Sequence, residues 1–118
     1  MRLEELCRGL SMEARMAEGK LDREVTGGYA SDLLSCVMAK AQAGNVWVTL
    51  QAHPNIVAVA SLINLAGIVV AEGMSIEPAT LEKAEQEGIP ILATSLTTYT
   101  IVSKLAALGV PGVDSHSA

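Results

Sequence analysis

The sequence predicts an α/β fold: a single small domain with a mostly parallel sheet covered by helices. Three observations carry that prediction. Short runs rich in β-branched residues (46–50, 68–71 and 89–93) alternate with helix-period stretches, and strands joined through helices require right-handed crossovers of a parallel sheet. At 118 residues the chain suits one hydrophobic core rather than two. Between positions 33 and 71 the only formal charge is Lys40, which marks the middle of the chain as the buried centre. Half of the residues are apolar but there is no Phe, so the core is built from Ala, Val, Ile, Leu and Met.

Each element follows from local pattern. Leu3, Leu6 and Leu10 share one face of a short helix, with Glu4, Glu5 and Arg8 opposite, ending near Gly9 or Ser11. A short strand over 13–17 and a turn over 18–20 come next. Glu24-Val25-Thr26 reads as the start of a strand broken by Gly27-Gly28, after which Ser31 or Asp32 N-caps a helix. That helix places Leu33, Leu34, Val37, Met38 and Ala41 on one wide apolar face and stops at Gly44, which suits the left-handed position after a helix. Residues 46–50 form a strand, and Pro54-Asn55 punctuates its exit, with Asn55 capping the next helix.

From 56 to 66 the helix is apolar nearly all round, as expected of one buried on more than one side, and Gly67 ends it. Residues 68–71 give a strand, Pro78 opens a helix that closes at Gly88, and 89–93 give another strand. The last helix is capped by Thr97 or Thr98, carries Ile101, Val102, Leu105 and Leu108 inward, and closes at Gly109. The domain is expected to span 1–109, with 110–118 a disordered tail.

Composition excludes several functions. The formal net charge is −5 and the cations are scattered, so no nucleic acid and no anionic membrane surface is an expected partner. The longest apolar run falls short of the ~20 residues that cross a bilayer, and the start of the chain lacks the apolar stretch of a signal peptide. A cytoplasmic location is expected. Cys7 and Cys36 lack metal-ligand or disulfide-framework spacing and read as small core hydrophobes. Neither G-x-x-x-x-G-K-[ST] nor G-x-G-x-x-G is present, so no cofactor is expected.

In open α/β sheets ligands bind outside the carboxyl ends of the strands. The residues expected to leave those ends are Thr26, Gly27, Gly28, Ser31 and Asp32, then Gln51, His53 and Asn55, then Thr94 and Ser95. Glycines ahead of a helix start let backbone N–H groups meet an anion, and the helix end favours it. The same features also read as a tight turn at Gly27-Gly28 and a plain helix cap at Ser31. His53 has no Cys or His at ligand spacing and reads as a structural or ligand-contacting residue rather than a metal ligand. It forms, with Ser95 or Thr94, the only base and nucleophile that the topology could bring together.

The segment Asp22-Arg23-Glu24-Val25-Thr26-Gly27-Gly28-Tyr29-Ala30-Ser31-Asp32-Leu33-Leu34-Ser35 resembles the DRTGG domain family. So do the runs 44–51, 55–60 and 84–90, and Thr94-Ser95-Leu96-Thr97-Thr98-Tyr99. The resemblance covers residues 2–109. It implies a small α/β module, dimeric, that accompanies metabolic enzymes such as phosphotransacetylases and nucleotide-regulated pyrophosphatases. A distant likeness to the N-terminal domain of the HPr kinase/phosphatase accounts for kinase labels on such chains, but this sequence lacks the phosphate loop a kinase needs.

The expected function is therefore a non-catalytic regulatory or ligand-sensing module. Its expected ligand is a small anion or adenine nucleotide, its partners a metabolic enzyme and a second copy of itself. That homodimer is expected to use part of segment 46–71, whose apolar surface exceeds what one small domain can cover. A purely structural dimerisation or docking protein is the alternative, and an enzyme using His53 and a nearby hydroxyl the third reading.

Overall fold

The computed structural model describes residues 1–114. Five strands form one sheet in the order β1-β5-β4-β3-β2. In chain order the elements are α1 (Leu3–Gly9), β1 (Glu13–Met16), a 3-10 turn (Glu18–Lys20), β2 (Gly27–Ala30), α2 (Leu34–Lys40) and β3 (Asn45–Thr49). They continue with α3 (Asn55–Leu62), β4 (Gly67–Val70), α4 (Pro78–Glu87), β5 (Ile91–Ala93) and α5 (Thr98–Ala107). β2, β3, β4 and β5 run parallel, and β1 pairs antiparallel with β5, with a register shift between Ala14 and Met16.

Every residue of β3 and β4 is buried, as expected for central strands covered on both faces, and that is why they read as unbroken apolar runs. Side chains of β3, β4 and β5 alternate between two cores. On one face Trp47, Ile68, Val70 and Ile91 meet Val37, Ile56, Val57, Ala60 and Ala84 of α2, α3 and α4. On the other, Val46, Val48, Val69 and Leu92 meet Leu3, Leu6, Ile101 and Leu105 of α1 and α5. The indole N–H of Trp47, inside the first core, donates to the Ser31 carbonyl at 2.9 Å, so its one polar group is satisfied.

Several boundaries differ from the sequence expectations. The second strand is not 24–26 broken by glycines: it consists of the glycines themselves with Tyr29 and Ala30. Gly67 starts β4 rather than ending α3, which stops at Leu62 because Asn64 takes the left-handed conformation (φ 59°). Neither Ser31 nor Asp32 is the N-cap of α2, a position held by Leu33, and Asn55 is the first residue of α3 rather than its cap. The apolar faces are narrower than their spacing implied, since Leu33, Met38, Val102 and Leu108 are all exposed. Residues 110–112 lie against the fold, where Val110 N–H donates to the Leu105 carbonyl and Pro111 accepts from Gly28 N–H. Residues 115–118 of the expected tail lie outside the described residues.

Candidate functional site

The parallel strands direct their carboxyl ends to one edge of the sheet, and the sheet order sorts the candidate residues along it. At the β2 and β3 exits Asp32 accepts from Thr49 Oγ1 at 2.8 Å and from Leu50 N–H at 2.7 Å through the same carboxylate oxygen. Gln51 Nε2 donates to the Asp32 carbonyl at 3.1 Å, and Ser31 Oγ accepts from Leu33 N–H. This cluster staples two strand exits together, and its polar atoms are largely committed to one another. The Asp32 carboxylate also sets a negative charge there. Just beyond, His53 is exposed and its Nδ1 accepts from Asn55 N–H at 3.2 Å.

The β4 and β5 exits make a second group. Glu72, itself left-handed (φ 62°), accepts from both the N–H and the hydroxyl of Thr98 at 3.1 and 3.0 Å. The N-terminus of α5 thus receives its negative charge from inside the chain. Thr94 Oγ1 accepts from Leu96 N–H, and the Thr94 carbonyl accepts from Gly73 N–H. Because β1 is antiparallel to β5, its first residues arrive at the same edge, with Glu13 opposite Ala93. An open cleft of about 520 Å³ lies between them, lined by Glu13, Arg15, Gly73, Met74, Thr94 and Ser95 among others. Arg15 Nε is 3.8 Å from Glu13 Oε1, a loose pair beyond hydrogen-bond distance. Ser95 is exposed and its hydroxyl makes no hydrogen bond among the described residues.

The sequence-predicted residues therefore divide into three places. Ser31, Asp32, Gln51, His53 and Asn55 gather at the β2 and β3 exits, and Thr94 and Ser95 line the cleft. Thr26, Gly27 and Gly28 lie elsewhere: Gly27 pairs with Asn45 at the start of β3, and Thr26 Oγ1 donates to the Ala43 carbonyl at 2.9 Å while accepting from Asn45 Nδ2. Their expected position at the carboxyl ends is corrected because the glycines run through β2 instead of following it. His53 and the Thr94–Ser95 pair leave strands two places apart, about 10 Å at the spacing of neighbouring strands, so the base and nucleophile are not joined.

Sequence reasoning missed Glu13 and Arg15. Their alternation with Ala14 and Met16 was the available signal, but it does not say which strand they pair with. It also missed Arg23, whose Nη1 donates to the Leu65 carbonyl at 3.1 Å and Nη2 to the Gly88 carbonyl at 2.9 Å. Among the described residues no group of His, Cys, Asp and Glu could hold a metal ion, and no helix is long and apolar enough to cross a membrane.

Comparison with known proteins agrees with this architecture. The profile of the DRTGG domain matches residues 11–108. No curated protein matches the chain in sequence. Among solved structures, the fold is similar to the CBS and DRTGG domains of the regulatory region of Clostridium perfringens pyrophosphatase, complexed with the activator diadenosine tetraphosphate. The TM-score is 0.72 at 17% identity, over 93% of this chain and 47% of that one, so the chain spans about half the length of that structure. With most of its length inside the family profile, the chain belongs to the DRTGG domain family.

Proposed function

We propose that this domain is a non-catalytic, ligand-sensing regulatory module that takes a small anionic or adenine-nucleotide ligand in the cleft at the β4 and β5 exits. One observation carries the reading: the cleft presents a loosely held cation, Arg15, beside the uncommitted Ser95 hydroxyl, at the edge where open α/β sheets bind ligands. The activator in the pyrophosphatase regulatory region supports adenine nucleotides as the first class to try. Catalysis has no support in the geometry, since the one base–nucleophile combination is held apart. Output passes through a partner enzyme, and the module works as a homodimer. Two free thiols, Cys7 and Cys36, fit a reducing, cytoplasmic setting.

Thermal-shift measurements with adenine nucleotides, dinucleoside polyphosphates and small carboxylates test the proposal. A ligand at ~100 times its Kd stabilises by about 2.7 kcal/mol, a clear rise in Tm. The rise should disappear in Arg15→Ala and shrink in Ser95→Ala. No shift with any compound at millimolar concentration sinks the reading. It would favour instead a structural docking domain, for which the self-satisfied Asp32–Thr49–Gln51 and Glu72–Thr98 contacts already speak.

A further inference from the structure

The glycine pair that names the family motif is not near the cleft, and its surroundings assign it another task. Ser31 N–H bonds to the Val48 carbonyl, so by the alternation of a parallel ladder Tyr29 and Ser31 address β3 while Gly28 and Ala30 address the open edge of the sheet. On that edge Gly28 N–H donates to the Pro111 carbonyl at 2.9 Å, and Gly28 and Gly112 form a parallel bridge. A Cβ on Gly27 would stand 2.9 Å from the Pro111 oxygen, and one on Gly28 would stand 3.3 Å from Val110 Cγ1. Glycine in a strand marks such close approach of another backbone. Behind this contact a cavity of about 130 Å³ separates β2 from α5, lined by Tyr29, Val48, Leu105, Ala106 and Val110 among others. Ala30, further along the same edge, is exposed.

We propose that Gly27 and Gly28 form the floor of a strand-docking groove on the edge of β2, and that residues 110–112 are an exchangeable strap filling it. The groove accepts an extended Val-Pro-Gly segment. Such a segment brings a carbonyl to Gly28 N–H, a small apolar side chain to the mouth of the cavity, and little bulk against Gly27. Main-chain bonds to an open sheet edge, with a pocket for one side chain, are the physics of strand addition. The inference stands apart from the ligand cleft, which lies at the other edge of the sheet.

Amide hydrogen exchange of the full chain, read by NMR, tests the strap directly. The Gly28 amide should exchange at least about tenfold faster than the β3 and β4 amides, because it opens locally when the strap leaves. Val110→Asp should accelerate Gly28 further without changing β3 and β4. A synthetic peptide with the sequence of residues 109–114, fluorescently labelled, should bind Val110→Asp about tenfold or more tighter than the unaltered chain, which its own strap blocks. Adding Gly27→Ala to Val110→Asp should abolish that binding. Gly28 exchanging only together with β3 and β4 in the unaltered chain would overturn the strap, whether or not the variants fold. Equal peptide binding with and without Gly27→Ala would overturn the groove.

Discussion

Arg23 shows how a conspicuous motif residue can serve the fold and not a ligand. Its fork reaches two carbonyls, Leu65 just past α3 and Gly88 at the end of α4, and so ties the C-terminal ends of two helices that cover the same face. A cation there also complements both helix dipoles. Arg23→Ala should lower stability by about 2 kcal/mol, the range for hydrogen bonds to a charged group, read as a lower urea midpoint with unchanged m. Arg23→Lys should recover only part, because a single ammonium lacks the planar fork. Cys7 makes a second residue-level prediction. Its thiol donates to the Met12 carbonyl, and its pKa is pushed up, first by burial and then by the nearby charge of Glu18. A thiol whose folded pKa exceeds its unfolded value stabilises fully below the unfolded pKa, and that stability is lost as pH rises through the folded one. Denaturation midpoints should therefore fall above the ordinary thiol range, and Cys7→Ala should flatten that alkaline slope.

At the scale of elements, one device closes four of the helices. After α1, α3, α4 and α5 the chain turns through a left-handed residue, Ser11, Asn64, Gly88 and Gly109 respectively. In each the next N–H reaches back five residues: Met12 to Cys7, Leu65 to Ala60, Ile89 to Ala84, Val110 to Leu105. The two glycine closures were legible in the sequence, because glycine is the expected residue at a left-handed position. The end of α1 near Gly9 or Ser11 was legible too, but Asn64 was not, since Asn also occurs inside helices, and α3 therefore read four residues too long. Asn64→Ala should cost about 1 kcal/mol, because the short polar side chain of Asn eases the left-handed conformation and a methyl does not, while Asn64→Gly should be nearly neutral, both read from thermal melts. β2 was illegible for a different reason: two consecutive glycines look like a break, and only the approach of residues 110–112 and Asn45 from distant parts of the chain makes them a strand. Asp32 looked like a ligand-facing carboxylate because its partner, Thr49, lies 17 residues away.

At the scale of the whole molecule, the parallel sheet with helices on both faces followed from strand and helix alternation alone, and that much topology is local information. The surface left over is not. Segment 46–71 reads as apolar throughout, but β3 and β4 are wholly enclosed within one chain, and Val59, 7% exposed, belongs to the core. Val59→Asp should therefore unfold the domain, and it cannot probe an interface. What remains outside are Leu62 of α3, 70% exposed, with Leu33 and Met38 at the start and middle of α2, 60% and 48% exposed. These two helices cover the same face of the sheet, and large side chains that water sees on neighbouring helices are those a second copy can cover. The proposed homodimer is thus expected on the α2–α3 face, drawing from segment 46–71 only its outer helix surface. Sedimentation equilibrium at micromolar concentration should give a mass near twice 12.3 kDa. Leu62→Asp and Leu33→Asp should return it to the monomer mass with helical circular dichroism intact, because both side chains stand outside the core and a charge there costs little in the monomer. A single species at 12.3 kDa in the unaltered chain would rule the dimer out. A dimer that survives both substitutions would move the interface to another face, such as that of α5, where Tyr99, Val102 and Leu108 are exposed.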